Sequence, residues 1–100
     1  MKNNHMIEMD EDDRKIFNDI ISKLHYKIYA YGSRVKNHSK KFSDIDLCIM
    51  EDISDLEISN IKEIFEESDL TIKVDIKRRS DISPDFFNLI KDDLVLITTR

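Results

Sequence analysis

Asp44 and Asp46 stand two residues apart in the run SDIDLCIM, residues 43–50. Ile45, Leu47 and Ile49 alternate with them, the pattern of a strand whose successive side chains point to opposite faces. On that reading the two aspartates share a face, with backbones about 6–7 Å apart at a rise of ~3.3 Å per residue. Two carboxylates so placed repel each other and drive one pKa upward unless a cation lies between them. Mg²⁺ suits them, because it takes one or two protein carboxylates and leaves its other positions to water and substrate phosphate. A further alternating run, TIKVDIK at residues 71–77, carries Asp75 as a third carboxylate, either another ligand or a base.

Gly32 is the chain's only glycine, and Ser33 and Arg34 follow it directly. A strand that ends in Gly-Ser before a polar segment lets backbone N–H groups come close to a phosphate, since no side chain blocks them. The Ser33 hydroxyl can donate to a phosphate oxygen, and a helix beginning nearby adds the pull of its N-terminal dipole. Arg34, Lys36, Lys40 and Lys41 can offset the charge of a triphosphate. A phosphate cradle beside a metal-binding pair is equipment for nucleotidyl transfer. Two metals there align the α-phosphate, activate the attacking hydroxyl and stabilise departing pyrophosphate.

These residues need elements to hold them. Ile16, Phe17, Ile20, Ile21 and Leu24 recur at helical spacing and predict a helix over residues 10–24, with the acidic cluster 10–13 in its first turn. Residues 27–31 (KIYAY) and 43–50 predict strands, with the basic segment 34–42 between them as a loop or short helix. Tyr29 and Tyr31 share one strand face and read as packing. Ser54 and Glu57 have the form of a capping box, opening a helix to about residue 68 with Leu56, Ile61, Ile64 and Phe65 on one side. In the strand 71–77, Ile72, Val74 and Ile76 turn inward, and Asp75 faces away beside Lys73 and Lys77. Ser83-Pro84 marks another helix start, running to about residue 91, and residues 94–98 (LVLIT) predict a closing strand. The order α-β-(α)-β-α-β-α-β describes an α+β domain, a small mixed β-sheet packed with helices.

One hundred residues predict a single domain, 1–100, with residues 1–9 expected to fray. The formal charge of −5 excludes a global basic field, so direct nucleic-acid binding is not expected. The charge is uneven, however, with acidic residues near the N-terminus and basic ones in RVKNHSKK and KVDIKRR. Lys77, Arg78 and Arg79 read first as solvated surface. Cys48 is the only cysteine, which rules out an internal disulfide; it reads as a buried thiol within the apolar half of its strand. No apolar run reaches the ~18 residues a membrane helix needs, and the expected compartment is the cytoplasm. An enzyme of this length is expected to take its acceptor from a partner or at its own surface.

The stretch GSRVKNHSKKFSDIDLCI resembles the signature of the polymerase-beta-like nucleotidyltransferase superfamily: Gly-Ser, a spacer of about ten residues, then Asp-x-Asp. Within it, GSR and SDIDL are similar to the minimal nucleotidyltransferases (MNT). So is the tail KVDIKRRSDISPDFFNLIKDDLVLI, where a third aspartate on a strand precedes a short ISPxF helix and a last strand. The resemblance spans residues 29–97 and implies the polymerase-beta-like fold. It assigns Gly32, Ser33 and Arg34 to the nucleotide, and Asp44, Asp46 and Asp75 to catalysis and two Mg²⁺ ions, with ATP as substrate. Members commonly read GSRARG; here Asn37 stands where the second glycine falls, and Asn tolerates left-handed backbone better than most residues. Such proteins are typically paired with a small helical HEPN toxin as its antitoxin, and transfer AMP from ATP to a toxin tyrosine. The rival expectations are a non-catalytic antitoxin of the same fold that neutralises by contact, and transfer to a small molecule or an RNA end.

Overall fold

The computed structural model describes residues 7–32 and 44–98. Ser33, Arg34 and the remainder of the segment 33–43, including Asn37 and the basic residues assigned to a triphosphate, lie outside the described residues. The first helix, α1 (Glu11–Ser22), buries Phe17, Ile20 and Ile21 and carries Glu11, Asp12 and Asp13 in its first turn. It stops two residues short of the predicted end, because the amides of Lys23 and Leu24 turn back to the carbonyls of Ile20 and Ile21 in a tighter three-residue turn. Residues 7–9 do not fray as expected. Ile7 is fully buried, Met9 packs on the same core, and the Arg14 guanidinium donates to the Ile7 carbonyl at 2.9 Å.

Among the described residues four strands follow the alternation in the sequence: β1 (Ile28–Tyr31), β2 (Ile45–Ile49), β3 (Val74–Arg78) and β4 (Val95–Leu96). They lie in the order β3-β2-β1-β4, with β1 antiparallel to β2 and β4, and β2 parallel to β3. A parallel pair needs a crossover, and α2 (Asp55–Glu66) supplies it. The predicted capping box is present: the Glu57 amide donates to Ser54 Oγ at 3.1 Å, and the Ser54 amide to Glu57 Oε1 at 3.4 Å. The buried stripe of α2 is Ile58, Ile61 and Phe65. Leu56 and Ile64, expected on that side, are 70% and 46% exposed. At about 100° per residue Leu56 lies roughly opposite that stripe and Ile64 at its flank.

Two strand ends differ from the prediction because distant residues set them. The strand expected from residue 71 starts at Val74, since Thr71 is held by α1. Its amide donates to Asp13 Oδ1 at 3.0 Å and its hydroxyl to Asp13 Oδ2 at 2.6 Å, and Asp13 is only 3% exposed. The last strand, expected over 94–98, is confined to Val95–Leu96. Beyond it the Ile97 amide still donates to the Ile28 carbonyl at 2.9 Å, while the Ile28 amide turns to the Thr98 hydroxyl at 3.3 Å.

One sheet face carries Ile28, Ala30, Ile45, Leu47, Ile49 and Ile76, and α1 and α2 pack on it, with Phe17 and Phe65 rings 6.1 Å apart. The other face is covered in part by the segment after β3. There a single 3₁₀ turn (Arg79–Asp81) leads into α3 (Pro84–Ile90), which opens as predicted with the Phe86 amide donating to Ser83 Oγ at 3.2 Å. Ile82, Phe87, Ile90 and Leu94 from this segment enclose Tyr31 and Cys48 in a second, smaller apolar cluster. Cys48 is buried as expected, but on the face of Asp46 rather than among the strand's core aliphatics. Among the described residues no helix is long and apolar enough to cross a membrane.

Candidate active site

Strand pairing decides which side chains meet on the partly covered face. Tyr31 on β1 is the register partner of Asp46 on β2, and Asp46 is the partner of Asp75 on β3. One residue pair along, Tyr29, Cys48 and Lys77 form the next row on the same face. Neighbouring strands lie about 4.8 Å apart, so the carboxylates of Asp46 and Asp75 are immediate neighbours. Asp44 sits one residue before β2, exposed, at the open end of this face.

Gly32 ends β1 with a φ of +93°, in the left-handed region that residues bearing a Cβ avoid. A Cβ built there would lie 2.6 Å from Asp46 Oδ2. The glycine was expected to open room for a phosphate; in the described structure the room it opens is filled by the Asp46 carboxylate. Gly32 therefore sets where that carboxylate can sit. This contact escapes sequence reading because it depends on the antiparallel register of β1 and β2.

The electrostatics follow from the packing. Half-burial raises the pKa of Asp46 above the ordinary carboxylate value, and the nearby charge of Asp75 raises it further; Lys77 opposes this and Asp44 adds to it. The Tyr31 phenol, 6% exposed, is pushed up to about 12, first by burial and then by Asp46 and Asp75. Burial also raises the Cys48 thiol, against the opposing charge of Arg79. Tyr31 and Cys48 therefore stay protonated at neutral pH and serve as walls of the site, not as nucleophiles. Asp75 is ion-paired to Lys77, Nζ to Oδ2 at 2.6 Å, each side chain about two-fifths exposed (41% and 40%).

The basic run after Asp75 is not simply solvated. Arg78, on the opposite face and 16% exposed, reaches Asp81 through Nε (2.8 Å) and Nη2 (3.0 Å), Asp55 at 2.8 Å and the Ile53 carbonyl at 2.9 Å. It ties the end of β3 to the loop before α2. Arg79 stacks 3.8 Å above the centre of the Phe87 ring.

The donors on this face are hard carboxylate oxygens, the kind that hold Mg²⁺ or Mn²⁺. The half-buried Asp46 beside Asp75 is a concentration of negative charge that a divalent cation would relieve. The residues present thus fit such an ion. They are not drawn into a ready-made cage: among the described residues no group of three or more His, Cys, Asp or Glu side chains is positioned to hold a metal. The structure joins Asp46, Asp75 and Gly32, leaves Asp44 at the rim, and does not describe Ser33 or Arg34.

A mixed sheet with Gly32 closing the end of β1 and neighbouring strand carboxylates points to a class, and comparison with known families identifies it. The family model described as "Nucleotidyltransferase domain" matches residues 14–97. The chain belongs to that family: it is a nucleotidyltransferase, and its mixed sheet with the helices packed on it is the polymerase-beta-like nucleotidyltransferase fold. Among individual proteins it is similar to one named "Probable protein adenylyltransferase MntA" from Haemophilus influenzae. The two are 36% identical over 98 residues, which cover 94% of this chain and 86% of the relative.

Proposed function

We propose that the chain is an Mg²⁺-dependent protein adenylyltransferase that moves AMP from ATP to a tyrosine of a small helical HEPN partner, and that it serves as the antitoxin of that pair. The observation that carries this reading is the register that sets Asp46 beside Asp75 with Gly32 closed against Asp46. The relative's name, a protein adenylyltransferase, supports AMP as the group moved and a protein as the acceptor. A partner-borne acceptor also suits a chain of 100 residues.

In this reading Asp44 and Asp46 hold the divalent ions, with Asp75 as the third carboxylate. Ions held there would supply positive charge to offset that of the triphosphate and of the departing pyrophosphate. Gly32, Ser33 and Arg34 engage the phosphates. The tyrosine oxygen forms a bond to the α-phosphorus while the bond from that phosphorus to the bridging oxygen breaks. Pyrophosphate leaves with the electron pair, and the phenolic proton passes to a carboxylate of the set. The Tyr31 wall keeps one side of the site apolar.

The test is incubation of the chain and its helical partner with labelled ATP and Mg²⁺, with the modified residue located by peptide mass. Label on a partner tyrosine, lost in Asp44→Ala and Asp46→Ala, is expected. Unlabelled partner, with those variants still neutralising it, would refute enzymatic action on the partner. Label on an RNA end or an aminoglycoside instead would keep nucleotidyl transfer and overturn the protein acceptor. A purely contact-based antitoxin has no use for adjacent carboxylates whose mutual repulsion costs stability.

A further inference from the structure

We propose that Lys77 is an internal counter-ion that occupies Asp75 in the free enzyme and must be displaced before Asp75 can join a divalent cation. This rests on the reading of Asp75 as a metal ligand. Lys77 follows Asp75 by two residues on β3 and therefore shares its face. Its register partner on β2 is Cys48, a buried thiol that offers no anion. Its ammonium turns instead to Asp75 Oδ2, at 2.6 Å. In that position it covers an oxygen that a metal would use, and its positive charge repels a divalent ion brought to the same carboxylate.

The pair is built to exchange. Both partners are about two-fifths exposed, 40% for Lys77 and 41% for Asp75, and ion pairs so open to water are weak. The lysine stem is flexible and ends in a single point charge, so it can leave without disturbing the strand. The next residue gives the contrast. Arg78 is 16% exposed and fixed by a fork of bonds to Asp81, with Asp55 and the Ile53 carbonyl completing its contacts. One is a structural clamp on the far face, the other a movable charge on the site face.

Lys77 also explains how Asp46 and Asp75 coexist on neighbouring strands before any metal arrives. Its charge offsets part of their repulsion, as its opposing influence on Asp46 indicates. The same charge makes it a competitor. A site that binds metal alone more weakly than its carboxylates allow is less prone to trap ions without nucleotide.

The test is Mn²⁺ binding to the full chain by titration calorimetry, without nucleotide, for the native protein, Lys77→Met, Lys77→Arg, Asp75→Asn and the Asp75→Asn/Lys77→Met double variant. Lys77→Met is expected to bind Mn²⁺ roughly three- to tenfold more tightly, from the loss of a half-exposed competing charge. Lys77→Arg should restore the native affinity. Asp75→Asn should weaken binding and abolish the gain from Lys77→Met. Lys77→Gln and circular-dichroism melts in metal-free buffer separate the charge effect from misfolding. If Asp75→Asn weakens binding while both neutral variants fail to tighten it, the counter-ion role is overturned and the ligand role stands. If Asp75→Asn leaves Mn²⁺ affinity unchanged, Asp75 is no ligand and both readings fall.

Discussion

Gly32→Ala tests the contact on which the site's geometry depends. A methyl group at residue 32 would lie 2.6 Å from Asp46 Oδ2, and that residue has a φ of +93°. Relief to an ordinary Cβ contact requires the carboxylate to retreat by roughly 0.8 Å or more, which tilts Asp46 away from its rotamer at a cost of about 0.5–1.5 kcal/mol. An L-residue at positive φ adds about 1–2 kcal/mol. Together they predict a loss of about 2–3 kcal/mol, a fall in melting temperature of roughly 10–20 °C for a chain this size.

A double-mutant cycle separates the two contributions. In an Asp46→Ala background the carboxylate is gone, so Gly32→Ala should retain only its backbone part, leaving a coupling of about 1 kcal/mol. The assay is thermal and urea unfolding of the metal-free native, single and double variants. Adenylyl transfer should fall by about tenfold or more in Gly32→Ala even where the protein is folded, because displacements approaching 1 Å are felt strongly in catalysis. Additive stability losses, with no coupling between residues 32 and 46, would refute the claim that the glycine makes room for this carboxylate.

The remaining predictions concern charge and anchoring. Because the folded state raises the pKa of Asp46, it holds that proton more tightly than the unfolded chain does. The resulting stability is present below the unfolded carboxylate pKa, near ~3.9, and is lost as pH rises through the folded value. Metal-free Asp46→Asn should therefore melt above the native protein at neutral pH and lose that advantage in acid; a native protein more stable than the variant at neutral pH contradicts the assigned environment. Asp13→Ala removes the acceptor for both Thr71 donors at a 3% exposed position, and should cost about 2–3 kcal/mol in urea unfolding. A loss under about 0.5 kcal/mol, the range of ordinary surface substitutions, would mean that those bonds do not anchor residue 71.

What the sequence disclosed was local, and what it concealed was long-range. The Ser54–Glu57 box and the Ser83-Pro84 start were legible because a cap is written within one turn of chain. Strand alternation placed Asp46 and Asp75 on faces away from the aliphatics, and their adjacency then came from the β2–β3 register fixed by the α2 crossover. The strand starting at Val74 and the confined β4 were misjudged because Asp13 and Thr98 intervene from far along the chain. On α2 the pattern admitted more than one apolar stripe, and packing chose Ile58, Ile61 and Phe65. The face of Cys48 was available by parity, since it lies two residues after Asp46. Its burial follows from the apolar roof that the segment after β3 lays over it.

That roof divides the site face into unequal environments, and the division bears on chemistry. On one side Tyr31 and Cys48 are enclosed by Ile82, Ile90, Phe87 and Leu94, and the Tyr31 ring meets Phe86 edge-on at 6.1 Å. On the other, Asp44 is exposed and the Asp75–Lys77 pair remains open to water. Asp46 stands at the boundary, half-buried, with Tyr31 as its register partner on the dry side and Asp75 on the wet side. A low-dielectric wall strengthens every charge interaction beside it, including that of a carboxylate with a cation or a developing charge. The same wall makes ionised Asp46 unfavourable, which is the first reason its pKa rises, with the charge of Asp75 adding to it. Burial deep enough to seal Asp46 would block access, and full exposure would weaken the attraction that the proposed cation would feel there. The edge of a small apolar cluster gives the intermediate condition, and the segment from Arg79 to Ile90 builds that edge.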